Sequence, residues 1–257
     1  MFDFGSFELS GMQWAMLALT AFLVGIAKTG IPCVGVIAVP LIAYAWPDAK
    51  ESVGLLLPLL IFADLFAAGY YRRKALWGYV IRLLPWAMAG IVAGFFFLKQ
   101  IDAQHLKPVI GGIVLAMLGL KYWQSARGEK PKEGDIHLPS HWAFAAVMGL
   151  VAGITTMMAN AAGPVMVIYL LAMRLPKTEF VGTSAWLFFI VNWIKLPFMI
   201  NLGLVNGQSL KLNATLFPVI VVGAVVGILI LKHIPQKVFN KAVLILAAAA
   251  AIKLLLS

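Results

Sequence analysis

Apolar residues run along this chain in long blocks with short polar interruptions, and ten such blocks can be drawn. Five precede a polar stretch from Gln124 to His141, at roughly 12–29, 32–46, 52–71, 77–98 and 105–122. Five follow it, at roughly 141–157, 163–173, 180–200, 209–231 and 236–256. Many are long enough to cross a bilayer core as a helix, which takes about 20 residues. The polar stretch is rich in Lys, Glu, Gly and Pro and reads as a loop. The chain therefore divides into residues 1–123, a linker at 124–140, and residues 141–257.

Proline marks the segment ends. Pro32 suits the first turn of the second segment, and Pro47-Asp48 ends it, since the residue before a proline resists the helical region. Pro85, Pro197 and Pro218 fall inside spans and predict kinks. The segment at 163–173 is too short to span: about 11 residues give roughly 16 Å of helix. The first two segments of each half are thus either a re-entrant hairpin, leaving six full spans, or two short tilted helices.

The two halves repeat weakly. Gly90-Ile91-Val92-Ala93-Gly94, then Leu98-Lys99 and Ile101, matches Gly223-Ala224-Val225-Val226-Gly227, then Leu231-Lys232 and Ile234. Pro85 matches Pro218, Gly25 matches Gly153, Gly35 matches Gly163, and Asp64 falls opposite Asn192. The corresponding loops differ in charge: Tyr71-Arg72-Arg73-Lys74 is basic, whereas 201–207 is uncharged. Equivalent loops of opposite character predict two copies inserted upside down, an arrangement typical of secondary transporters.

Composition fits this reading. The chain is 62% hydrophobic and 12% charged, with mean hydropathy +0.95, which leaves too little charge to cover a soluble domain. The net charge of +10 is then a topology signal and not a nucleic-acid footprint. With Arg72-Arg73-Lys74 on the cytoplasmic side, alternation puts twelve of the twenty Lys and Arg there, against five opposite. That orientation sets both termini outside. The acidic start, Met1 to Met12, has no Lys or Arg and does not read as a cleavable signal. The single cysteine, Cys33, rules out an internal disulfide. No Walker loop, Rossmann glycine pattern, metal-ligand spacing or Ser/His/Asp cluster occurs, so no cofactor is expected.

Candidate chemistry gathers at the two breaks, Gly25 to Gly35 and Gly153 to Pro164. A helix that starts inside the membrane leaves its first N–H groups without intrahelical partners and presents its positive dipole end, which suits an anion. Lys28, Thr29, Gly30 and Gly35 would act at the first break, and Thr156, Asn160 and Gly163 at the second. Asp64 is the one acidic residue deep in a span; it would pair with Lys28 or Arg82, or carry a proton. Asn192 and Lys195, three apart on one helix face, would complete the cavity with Thr183. Arg82, near the basic loop, reads as a snorkelling side chain. The GxxxG pairs Gly90/Gly94 and Gly223/Gly227 read as helix-contact scaffold.

The duplicated Gly-rich breaks, the paired GxxxG helices ending in Leu-Lys, and Val181-Gly182-Thr183-Ser184 together resemble the TauE/SafE family of sulfite and organosulfonate transporters. The resemblance covers about residues 13–255. It implies two related halves that move a small anion such as sulfite or sulfoacetate across the bacterial inner membrane without ATP hydrolysis. The family signatures fall on Lys28–Gly35, on Thr156–Gly163, and on Gly182, Thr183 and Ser184. The expected protein is an all-α, polytopic, inverted-repeat secondary transporter. Its partners would be a small anion and the lipid bilayer, with a homodimer as a candidate assembly. The competing reading is a membrane-embedded enzyme or assembly factor for small sulfur compounds; only one buried carboxylate is available to it.

Overall fold

A computed structural model of the chain describes residues 9–32, 34, 38–45, 49–100 and 142–256. The expected segment at 105–122, the linker at 124–140, Cys33 and Gly35 lie outside the described residues. Within them the fold is all helical. The helices are α1 (Gly11–Thr29), α2 (Ala38–Ala45), α3 (Ala49–Tyr70), α4 (Trp77–Gln100), α5 (Trp142–Ala159), α6 (Gly163–Ala172), α7 (Lys177–Asn201), α8 (Gly207–His233) and α9 (Gln236–Leu256). Six of them, α1, α3, α4, α5, α7 and α8, are long and apolar enough to cross a membrane.

Local chemistry accounts for several boundaries. Ser10 starts α1 with a capping box: its hydroxyl accepts from Gln13 N, and the Gln13 side chain accepts from Ser10 N. Asn206 and Ser209 do the same for α8. Pro164 sits in the first turn of α6, where its missing N–H costs nothing. The expected kink prolines Pro85, Pro197 and Pro218 are inside α4, α7 and α8, and Pro58 is inside α3. The break after α5 is made by Asn160, whose φ of 52° is left-handed, a conformation that asparagine adopts more readily than most residues. The helices before the breaks are continuous, with 19 residues in α1 and 18 in α5. The break after α5 shortens the returning helix instead, to 10 residues in α6.

The tightest packing joins α1 to α8 and α4 to α5. Glycine permits it. A Cβ on Gly25 would overlap the Ile220 carbonyl and lie 2.7 Å from Ala224 N and 2.9 Å from Gly223 C. A Cβ on the matching Gly153 would overlap the Ala87 carbonyl and lie 2.8 Å from Gly90 Cα and from Ile91 N. In the alignment expected from the sequence, Ala87, Gly90 and Ile91 correspond to Ile220, Gly223 and Ala224. Likewise Gly223 abuts Phe22 and Gly90 abuts Leu150, while Gly227 abuts Ile26 and Gly94 abuts Ile154. In both pairs the helices run parallel, because later residues of one meet later residues of the other. Backbone approach of this kind is how helices gain dispersion contact in lipid, where no hydrophobic force separates helix from solvent.

The buried apolar residues fall into two clusters that do not follow the sequence halves. One gathers α1, α2, α3 and α8 around Leu17, Ala21, Ile42, Leu59, Leu216 and Ile220. The other gathers α4, α5, α6, α7 and α9 around Ile91, Met148, Met166, Phe180 and Phe239. Each bundle thus takes one helix from the opposite half: α8 packs into the first and α4 into the second. The α3–α7 contact is the main seam between the bundles.

Candidate functional site

A cavity of about 70 Å³ opens at that seam. One water needs about 10–15 Å³ by the same kind of measure, so there is room for a small polyatomic group. Bundle one contributes Val24, Ala27, Lys28 and Pro32 from α1 and the break after it, with Leu56 and Leu60 from α3. Bundle two contributes Thr156 and Asn160 from the α5 end, Gly163, Met166 and Val167 from α6, and Val181, Ser184, Ala185, Phe188 and Asn192 from α7.

Lys28 is the charged residue of the lining. Its Nζ lies 2.8 Å from Asp64 Oδ1, with the side chains 12% and 0% exposed. The Phe188 ring lies beneath the same ammonium, 4.2 Å from its centroid, an attractive arrangement for a desolvated cation. Asn192 Nδ2 donates to Asp64 Oδ2 at 2.7 Å. A carboxylate only accepts, so the amide nitrogen of Asn192 must face Asp64. Its Oδ1 is then buried without a hydrogen-bond partner among the described residues. The cluster is layered: Asp64 holds Lys28 and Asn192 at the cavity wall and does not itself line it.

Lys195 is placed differently from the expectation. It is fully buried, behind the wall. Its Nζ donates to Thr156 O at 2.8 Å, to Thr156 Oγ1 at 3.4 Å, and to Asn160 Oδ1. Three ammonium protons thus meet three neutral acceptors at the C-terminal turn of α5, where a cation also opposes the negative end of the helix dipole. Asn160 Nδ2 donates onward to Val53 O on α3 at 2.9 Å, across the seam. Lys195 therefore reaches the cavity only through Thr156 and Asn160, whose positions it fixes.

Of the other expected residues, Gly163 lines the cavity at the start of α6, where no side chain caps the helix N-terminus. Thr29 does not line it: its hydroxyl bonds Ala224 O at 2.7 Å and Gly25 O at 3.0 Å, tying α1 to α8. Gly30 packs on Gly227, where a Cβ would lie 2.6 Å from the carbonyl oxygen. Thr183 accepts from Leu76 N at 3.0 Å and holds the start of α4; its neighbour Ser184 faces the cavity. Arg82 is exposed on α4 and is not part of the lining. The α7 lining was readable as one face, since Val181, Ser184, Ala185, Phe188 and Asn192 follow helical spacing back from Asn192.

Residues 17–254 match the family described as Sulfite exporter TauE/SafE. The chain belongs to the TauE/SafE family. TauE/SafE proteins are membrane transporters, which sets the enzyme reading aside. One curated relative is the "Probable inner membrane transporter protein TsaS" of Comamonas testosteroni, 26% identical over 204 residues that cover 78% of this chain and 81% of the relative. No solved structure gives a significant match. In this TauE/SafE chain, Lys28, Thr156, Asn160, Gly163, Ser184 and Asn192 line one cavity.

Proposed function

We propose that this chain is a secondary transporter of a small sulfur oxyanion, either sulfite, sulfoacetate or a related organosulfonate, in the bacterial inner membrane. The observation that carries the reading is the charge balance at the seam. Two lysines, Lys28 and the fully buried Lys195, lie at the seam with one buried carboxylate among the described residues, Asp64, which pairs with Lys28. Buried charge is costly unless paired, and intramembrane ionisable residues mark ion pathways. A bound anion in the cavity would face Lys28 and add negative charge at the seam, with Asn160, Thr156, Ser184 and the uncapped α6 N-terminus as donors. Family membership supports the sulfur chemistry, and the relative's name supports the inner membrane.

Alternating access follows from the position of the cavity between two bundles. Rocking one bundle against the other would open either side while leaving the glycine-tight α1–α8 and α4–α5 pairs intact. The reciprocal glycine contacts support a two-fold relation between residues 1–123 and 141–257, hence opposite insertion of the two halves. Purified protein in proteoliposomes should take up labelled sulfite or sulfoacetate, with chloride as the unreactive control. Absence of uptake for every small sulfur oxyanion tested, in protein shown to be folded, would refute the assignment.

Topology has its own test. In a Cys33→Ser background, cysteines at Arg73 and Asn206 should react with an impermeant maleimide from opposite sides of the membrane, Arg73 from the cytoplasmic side. Labelling of both from one side would rule out inverted halves.

A further inference from the structure

The Lys28 cavity is not the molecule's largest. A second, of about 690 Å³, lies where the end of α6, the start of α7 and the first turns of α9 converge. Its size is that of a pocket for a sizeable organic ligand. Its chemistry is divided. Arg174, Lys241 and Asn240 provide cationic and amide groups, while Leu171, Leu175 and Leu244 provide an apolar wall. It opens on the basic face of the protein, where Lys232, in the last turn of α8, approaches the Tyr70 ring beside Arg72-Arg73-Lys74.

The groove is held in shape. Lys177 Nζ donates to Leu231 O and Ile234 O, both at 2.6 Å, and so caps the α8 C-terminus instead of facing a ligand. Lys177 N donates to Gln236 Oε1 at 2.7 Å, and Gln236 Nε2 to Asn240 Oδ1 at 2.9 Å, which fixes the α9 start against the α7 start. Both starts direct the positive ends of their helices toward this corner, and Pro176, the residue before α7, adds no side-chain cap of its own. Arg174 adds an independent sign. Its φ is 52°, in the left-handed region just past a helix end, where glycine is the usual residue. An arginine held there costs backbone energy that glycine would not.

We propose that this groove binds a phospholipid of the basic-side leaflet through its anionic headgroup. Arg174 and Lys241 pair with the phosphate, Asn240 donates to the headgroup, and an acyl chain runs along Leu171, Leu175 and Leu244. Basic pockets between membrane helices at the cytoplasmic side are suited to such headgroups. The bound lipid braces α6 against α9, and α6 carries Gly163, Met166 and Val167 into the Lys28 cavity. The site does not depend on what that cavity transports.

Purified protein would be delipidated and titrated with phosphatidylglycerol in detergent micelles, with bound lipid counted by native mass spectrometry. Wild type should retain one phosphatidylglycerol, and Arg174→Gly/Lys241→Gln should bind it about thirty-fold more weakly. Arg174→Gly alone removes the guanidinium while easing the backbone, so it keeps the fold and should still lose affinity; Lys237→Gln, outside the groove, should not. Equal retention by the double variant would overturn the proposal, as would equal retention of phosphatidylcholine. Displacement of the lipid by millimolar inorganic phosphate would make the groove a soluble-anion site, which also overturns it.

Discussion

Lys28→Met is expected to abolish anion uptake and to cost the fold about 3–5 kcal/mol, the usual penalty for leaving one member of a buried ion pair alone. Asp64 is fully buried and Lys28 is its ion-pair partner. Methionine keeps most of the side-chain volume, so the loss is mainly one of charge. The double variant Lys28→Met/Asp64→Asn removes both charges and leaves Asn192 a partner that can accept its amide proton. Its stability should return to within about 1–2 kcal/mol of wild type, since replacing a buried pair by neutral groups is often nearly neutral. Uptake should not return, because the cation that faces the cavity is still absent. Unfolding curves and labelled-sulfite uptake on the three proteins separate the two roles. Recovery of uptake in the double variant would show that Lys28 serves only to neutralise Asp64.

The second large effect is steric. Gly153→Ala should destabilise the protein by about 1–3 kcal/mol or more, the range for forcing a group into a packed interface. The new Cβ would press on the backbone of α4 at Ala87, Gly90 and Ile91, and backbone has no rotamer to give. Gly25→Ala should do the same through α8. Gly69→Ala and Gly78→Ala serve as controls, because a Cβ there meets nothing within 4 Å. Monodisperse yield and denaturant unfolding would report the difference. A Gly153→Ala protein as stable as the Gly78→Ala control would show that the close α4–α5 approach is dispensable.

Much of the helical layout is legible in the sequence because membrane helices announce themselves by length and proline. The segment at 236–256 coincides with α9, and 163–173 overshoots α6 by one residue. The second segment is expected from 32, yet Pro32 lies in a turn and Val34 in a 3-10 turn, because an apolar block does not reveal where helical geometry begins. The exchange of α4 and α8 between bundles is not legible at all. Helices apolar on every face carry no stripe to point at a partner, and GxxxG says that a close neighbour exists without saying which. The polar members of the cavity stand out because a polar side chain in lipid is costly. Phe188, Leu56 and Met166 do not, since an apolar residue facing a cavity looks like one facing lipid. Lys195 is expected at the lining and lies behind it, because spacing gives its helix face and not its depth.

The pairing of α1 with α8 also bears on how the protein is made. The hydroxyl of Thr29 bonds a carbonyl 195 residues further along the chain. At about 5–20 residues per second of synthesis, the small-residue surface of α1 waits on the order of 10–40 s before its partner emerges. During that interval Gly25 and Gly30 offer an open notch to any other small-faced helix in the bilayer. Early release of the chain, or slow translation of its last third, would leave that notch to strangers.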